Sequence, residues 1–301
     1  MCAYSLLSYT NAFQATISPM TKQNTLDSVS CLHSRRSHPL TPADLQHEML
    51  SLIIQSLYRA PIKSPKTVID IATGTGIWAT EFGISTHPTS YTQLTRPAKQ
   101  HPDSTVIGTD INTVNNPPSV PNLSYKLHDA EKDSWETLAP VDYIHARFVV
   151  TCFDDAPKVV SSMFNSLSSG GWLEFQDICF ETHDPDGSVK GTLLDKYIDM
   201  LNEAGAAVDR DIHKPKRYAE WMRQAGFVDV QEVIIPFPGN TWTKDERQKK
   251  IGELMIRNMV MGQRSLSGML TQKWSEEELK DVKDNLVEAS ANPKMHSYWE
   301  L

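Results

Sequence analysis

The chain has 301 residues, with 29 lysines and arginines against 37 aspartates and glutamates, and a formal charge of −8. That length holds one large α/β domain, or one domain with a cap, and an acidic chain with no long basic run argues against sequence-independent nucleic-acid binding. No apolar run approaches the ~18 residues of a membrane span, and the N-terminus lacks the basic cluster and hydrophobic stretch of a secretory signal.

Residues 1 to about 40 show no apolar period and many small polar residues, the pattern of a flexible arm. Thr41, Pro42 and Asp44 then supply a cap, a first-turn proline and a first-turn acid. Leu45, Met49, Leu52, Ile53 and Leu57 continue at helical spacing towards Pro61, so a helix is expected that packs against the sheet and closes over the pocket.

The stretch TVIDIATGTGIW, residues 67–78, reads as a buried strand, a glycine turn and a helix start. Gly74 and Gly76 suit a tight turn that lets a ligand approach the backbone, with free N–H groups at the following helix start. Asp70, four residues before Gly74, decides the kind of ligand. A carboxylate there opposes a dinucleotide's pyrophosphate, but attracts the cationic sulfonium and ammonium groups of S-adenosylmethionine. At ~4 Å and an effective dielectric of ~20 that attraction is worth roughly 4 kcal/mol before desolvation.

A Pro-, Thr- and Ser-rich stretch after the helix reads as a loop. STVIGTD restores a strand, and Asp110 at its end is placed to take ribose hydroxyls, as an acid following the glycines does in nucleotide-binding units. A third strand is expected to end at Asp129, along the same crevice. VDYIHARFVV is the fourth, and its polar His145 and Arg147 are expected to face the cleft, because burying them without partners is costly. Asp155 and Pro157 open a helix that Gly170 and Gly171 are expected to end, and WLEFQDICF is the fifth strand. Strand and helix alternate, which predicts a doubly wound, mostly parallel Rossmann-like α/β sheet.

From about 181 to 214 a polar loop and one helix around Leu193 to Ala207 read as a cap element. A helix follows from Pro215 to Gly226, and FVDVQEVIIPF is expected to return as a strand. Thr243 with Glu246, and Ser275 with Glu278, have capping-box spacing, so 243–290 is expected to be two further cap helices. Met255, Met259 and Met261 on the first of these suit an adaptable core, or the lining of a site for a bulky apolar molecule. Cys2, Cys31, Cys152 and Cys179 are far apart without CxxC spacing, which predicts reduced cytoplasmic thiols and no metal centre.

VIDIATGTGIWATEF, VIGTDIN, HDAEKDSW, DYIHARFV, SSGGWLEFQD, GNTWTKDERQKKIGELM and HSYW together resemble the fungal LaeA-like methyltransferases, from about residue 45 to the end. The resemblance implies a class I methyltransferase fold over 41–301 with S-adenosylmethionine as cofactor. It places Asp70, Gly74 and Gly76 in the cofactor loop, Asp110 at the ribose, Asp129 and Ala130 at the adenine, and Arg147 near the cofactor. Two functions follow from it: methylation of a small molecule in fungal secondary metabolism by a cytoplasmic enzyme, or a LaeA-type nuclear regulator of secondary metabolism working in a protein complex. The family usually has glycine where Ala72 stands, an exchange expected to be mild at the flank of a turn. Its sheet usually closes with a last antiparallel strand, for which only His296 to Leu301 remain. A truncated stub is expected, with an edge open to homodimer formation.

Methyl transfer is an in-line displacement, in which positioning can supply roughly 7 to 11 kcal/mol of the barrier. A base adds perhaps ~10² to 10⁴ in rate when the acceptor is a hydroxyl. His145 and His183 are the candidate bases, and no Asn/Asp-Pro-Pro-aromatic motif of the nucleic-acid amine methyltransferases follows the fourth strand.

Overall fold

A computed structural model describes residues 41–83, 101, 103–114 and 119–301. The expected N-terminal arm and nearly all of the expected loop before residue 101 lie outside the described residues.

The first helix, α1 (Pro42–Ile54), begins as its sequence requires: Thr41 and Asp44 form a reciprocal capping box with Pro42 at the first position. It stops at Ile54 because Gln55 turns left-handed (φ 57°), so Leu57 falls outside it. Strand β1 (Thr67–Ile71) leads through the glycine turn into α2 (Ile77–Gly83). Then come β2 (Thr105–Asp110), β3 (Leu123–Leu127), β4 (Val141–Arg147), α3 (Ala156–Ser166) and β5 (Leu167–Gln176).

The five strands form one parallel sheet in the order β3-β2-β1-β4-β5. Chain order reverses between β1 and β4, the switch point at which open α/β sheets leave a crevice beyond the strand ends. Alternate residues serve opposite faces. Val68, Val106 and Tyr143 pack with Trp78, Ala79 and Phe82 of α2, while Ile69, Ile71, Ile144 and Ala146 pack with Val159, Val160 and Met163 of α3. A sheet covered on both faces is the doubly wound fold that the alternating sequence predicts.

Beyond β5 the chain forms α4 (Leu193–Ala207), a 3₁₀ turn (Lys214–Arg217), α5 (Tyr218–Ala225), β6 (Pro236–Pro238), α6 (Glu246–Leu270), α7 (Glu276–Ser290) and β7 (Tyr298–Glu300). Helices α1, α4, α6 and α7 share a separate apolar cluster that includes Leu45, Met49, Tyr197, Leu254 and Leu286, so α1 packs on the cap helices and not against the sheet as expected. Met255 and Met259 are buried in it, and Met261 packs against it, so these methionines are core.

Four local expectations are corrected. Helix α3 ends at Ser166 rather than at Gly170 and Gly171, because Leu167 already adopts an extended conformation and β5 runs through both glycines. Strand β3 stops at Leu127, two residues short of Asp129. Asp245, not Thr243, caps α6: its side chain accepts from the Gln248 N–H, while the Thr243 hydroxyl accepts from Asp245 N–H. Finally, of FVDVQEVIIPF only Pro236 and Phe237 join a strand, and that strand pairs with β7 in a two-stranded antiparallel sheet apart from the main one. Residues 231–235 instead face Leu173 and Phe175 of β5 across a cleft of about 190 Å³. The expected stub thus forms as three residues of β7, paired with β6 and touching the end of β5 through a Cys179 N–H to Glu300 carbonyl bond of 3.3 Å.

Candidate functional site

The glycine turn is built on Asp70. In the sheet register Asp70 stands beside His145 of β4. Its Oδ1 accepts from His145 Nδ1 at 2.7 Å, and its Oδ2 accepts from the Thr73 hydroxyl at 2.5 Å. The His145 ring lies flat on Trp78 at 3.7 Å and is wholly buried. His145 therefore does not face the cleft as the sequence suggested: the partner that makes its burial tolerable is the carboxylate on the next strand. It cannot touch an acceptor. Asp70, likewise buried, acts by fixing the turn through Thr73 rather than by presenting an open charge.

The turn itself is left-handed at three positions: Ala72 (φ 51°), Gly74 (φ 58°) and Gly76 (φ 74°). A Cβ on Gly76 would collide with the Tyr125 ring. Ala72 carries a Cβ in the region that costs roughly 1–2 kcal/mol for a non-glycine residue, so its exchange for the family's glycine is not the mild one expected.

Asp110 ends β2 opposite this turn. Its Oδ2 accepts from Gly74 N–H at 2.9 Å and its Oδ1 from Asn112 N–H at 3.0 Å. A carboxylate offers about four acceptor positions, so two backbone donors hold it in place and leave capacity for a pair of ribose hydroxyls. Beside it Ile111 is 67% exposed, and Leu127, at the end of β3, is 68% exposed. Large apolar side chains this open at adjacent strand ends offer faces for a flat aromatic base. Sequence reasoning passed over both; for Ile111 the signal was an apolar residue directly after a strand-end acid.

Asp129 sits past β3, partly exposed. Its Oδ1 accepts from Glu131 N–H, and its Oδ2 from Lys132 Nζ at 2.9 Å; the Lys132 hydrogen bond holds its acidity above that of an ordinary carboxyl. Ala130 is buried, and its carbonyl accepts from the Trp135 indole at 3.0 Å.

Arg147 ends β4. Its Nε and Nη2 donate to Gln176 Oε1 of β5 at 3.0 and 2.7 Å, and its Nη1 donates to His47 Nδ1 of α1 at 3.0 Å. Because a guanidinium only donates, His47 Nδ1 is the acceptor. His47 Nε2 then lies 3.2 Å from Glu81 of α2. Burial pulls the His47 pKa down and the Arg147 pKa down to about 10. This chain ties α1 to the strand ends, and Ala43 and Asp44 reach the glycine turn, Asp44 lying 3.4 Å from the Thr75 hydroxyl. The helix closes over the turn, as its place in the sequence predicts.

On the β5 side of the crevice stands a residue that the sequence reading did not single out. Asp177 is buried just past β5, where Oδ2 accepts from Val149 N–H (3.0 Å) and the Tyr218 hydroxyl (2.9 Å), and Oδ1 from Ile178 N–H (3.2 Å). Three donors stabilise its charged form, yet burial outweighs them and pushes its pKa up to about 7. It fastens the loop after β4 to β5 and α5. On that loop the Cys152 thiol is pushed up by desolvation, then by the charges of Asp177 and Asp110. His183 lies further along: its main chain bridges to Tyr298 of β7, its ring stacks on Tyr298 at 4.8 Å, and its Nε2 is 3.4 Å from Glu300. The structure thus gathers Asp70, Gly74, Gly76, Asp110 and His145 around one turn and puts His183 outside that group.

Residues 44–232 match the family model described as a methyltransferase domain. The chain is 28% identical over 263 residues to the probable methyltransferase tdiE of Emericella nidulans, covering 85% of this chain and 78% of that protein. It is 25% identical over 273 residues to the secondary metabolism regulator LAE1 of Cochliobolus heterostrophus, covering 85% and 82%. Among solved structures, a Haemonchus contortus phosphoethanolamine N-methyltransferase 2 aligns with a TM-score of 0.43 and 14% identity over 84% of this chain, which spans 51% of that one. The glycine turn, the ribose-competent Asp110 and the apolar Ile111 fit an adenosyl cofactor, and the chain belongs to the methyltransferase domain family, with S-adenosylmethionine as its methyl donor.

Proposed function

We propose that this protein methylates a small-molecule acceptor in fungal secondary metabolism. The observation that carries the reading is what gathers at the switch point: Asp110 bonded to Gly74 at the ends of β1 and β2, the loop after β4 bonded to Asp177 past β5, and Asp44 of α1 at the glycine turn. In this reading Asp110 takes the ribose hydroxyls, Ile111 and Leu127 flank the adenine with Asp129 and Ala130 beside it, and the His145–Asp70–Thr73 chain holds the turn in shape. S-adenosylmethionine supplies the electrophilic methyl group. Arg147 positions the end of β4 and α1 relative to each other. His183, partly exposed on the segment after β5, is the base for a hydroxyl acceptor, since His145 is sealed in the sheet.

The relatives named as methyltransferases support the reaction, and those named as secondary metabolism regulators support the setting. They also define the rival: a regulator that acts in a protein complex in the nucleus. Incubation with methyl-labelled S-adenosylmethionine, an organic extract of the producing fungus and, separately, its nuclear protein separates the two. Label in extractable small molecules is expected. Label confined to protein would overturn the small-molecule reading.

A further inference from the structure

Away from the crevice, the segment leaving β5 brings together three side chains of a different chemistry. Cys179 Sγ lies 3.5 Å from His213 Nδ1, and one ligand atom from each of Cys179, Glu181 and His213 falls within 4.8 Å of the others. On α4, Asn202 Oδ1 is 2.8 Å from His213 Nε2. An amide oxygen only accepts, so Nε2 carries the ring proton and Nδ1 turns its lone pair towards the sulfur.

We propose that Cys179, Glu181 and His213 bind a zinc ion. Thiolate, imidazole and carboxylate are the donors zinc takes. With Zn–S near ~2.3 Å and Zn–N near ~2.0–2.1 Å at a tetrahedral angle, sulfur and nitrogen stand about 3.5 Å apart, which is the separation found here. Asn202 fixes the tautomer and the ring orientation, as the outer partner of a metal-bound histidine does. Zinc replaces the thiol proton of Cys179, which leaves to solvent, and the sulfur becomes the charged ligand. Lys216 donates to Glu181 Oε2, so Oε1 is the oxygen for the ion. The two negative ligands neutralise the dication, and Lys216 then faces a cluster with no net charge.

Three protein ligands leave the fourth position to water. The ion would pin the segment after β5 to the 3₁₀ turn and α4, and through the Cys179 N–H to Glu300 bond it would brace β7 as well. No motif spacing announces the site, because Cys179 and Glu181 are two residues apart while His213 arrives only after α4.

The test uses the full chain, stripped with chelator and titrated with zinc, and then with cobalt. About one zinc per chain is expected, with a thiolate-to-cobalt charge-transfer band that disappears in Cys179→Ser. Asn202→Leu should weaken zinc binding by about 10- to 100-fold, and Lys216→Gln should tighten it. On the unaltered chain, zinc should slow iodoacetamide labelling of Cys179, mapped by mass spectrometry. That measurement stands even if the serine variant does not fold. Absence of the band, its survival in Cys179→Ser, labelling of Cys179 indifferent to zinc, or fast labelling of Cys179 promoted by His213 without metal would each overturn the proposal.

Discussion

Replacing Asp177 by asparagine tests whether burial outweighs hydrogen bonding at the carboxyl end of β5. Burial pushes the folded carboxyl up to about 7, from the 3.8 of an ordinary aspartate. Below about 4 both folded and unfolded chains hold this proton. As the pH rises from there to about 7 the unfolded chain releases it while the folded chain retains it, so unfolding becomes more favourable. At 1.36 kcal/mol per pH unit, the 3.2-unit gap removes ~4 kcal/mol of stability over that window, after which the loss is complete. Asparagine does not ionise and lacks this slope. It keeps one acceptor oxygen for two backbone donors, Val149 and Ile178, so one N–H goes unpaired at a cost of about 1–3 kcal/mol. The variant should therefore be less stable than the parent at pH 4 and more stable by about 1–3 kcal/mol at pH 8. Urea denaturation of both proteins at a series of pH values reads the difference directly. Parallel curves, or a parent that gains on the variant as pH rises, would refute the reasoning.

Asp110→Ala should weaken S-adenosylmethionine binding by about 1.5–3 kcal/mol, the worth of hydrogen bonds to a charged group, and calorimetry with unchanged affinity would remove Asp110 from the site. Ala72→Gly should raise stability by about 0.5–1 kcal/mol, because relief of the left-handed strain exceeds the added freedom of the unfolded glycine; a lower melting temperature would contradict that. His145→Leu removes the hydrogen-bond partner of Asp70 Oδ1 in the buried sheet, and should cost about 3–5 kcal/mol together with cofactor binding. A fully stable variant would show that the pair is dispensable. His183→Gln should leave cofactor affinity unchanged and lower turnover of a hydroxyl acceptor by about 10² or more, and wild-type turnover would leave positioning as the whole mechanism.

The glycine turn and the place of Asp110 at a strand end were legible because they are local: a tight turn needs residues that accept positive φ, and a strand-end acid needs only its own strand. The capping boxes at Thr41 and Ser275 were legible for the same reason, since each is closed within four residues. His145 was misread because its partner is 75 residues away. Periodicity shows that a polar residue lies on a strand; only the register Asp70 beside His145 shows that it can be buried at no great cost. Asp177 escaped notice for the converse reason. It follows an apolar strand, as Asp110 does, but its importance comes from Val149 and Tyr218, which reach it from other elements.

The same distinction explains the stretch 227–237. Its β-branched residues satisfy the sequence criterion for a strand, yet a strand exists only where a ladder partner is in reach. Ile235 exchanges backbone bonds with Leu301 (3.0 and 3.2 Å), and Pro236–Pro238 pair with Tyr298–Glu300. Upstream of Ile235 the chain stands across the cleft from β5, with Val228 and Ile234 half exposed. Local propensity therefore proposes the strand, and the position of β7 decides how much of it forms.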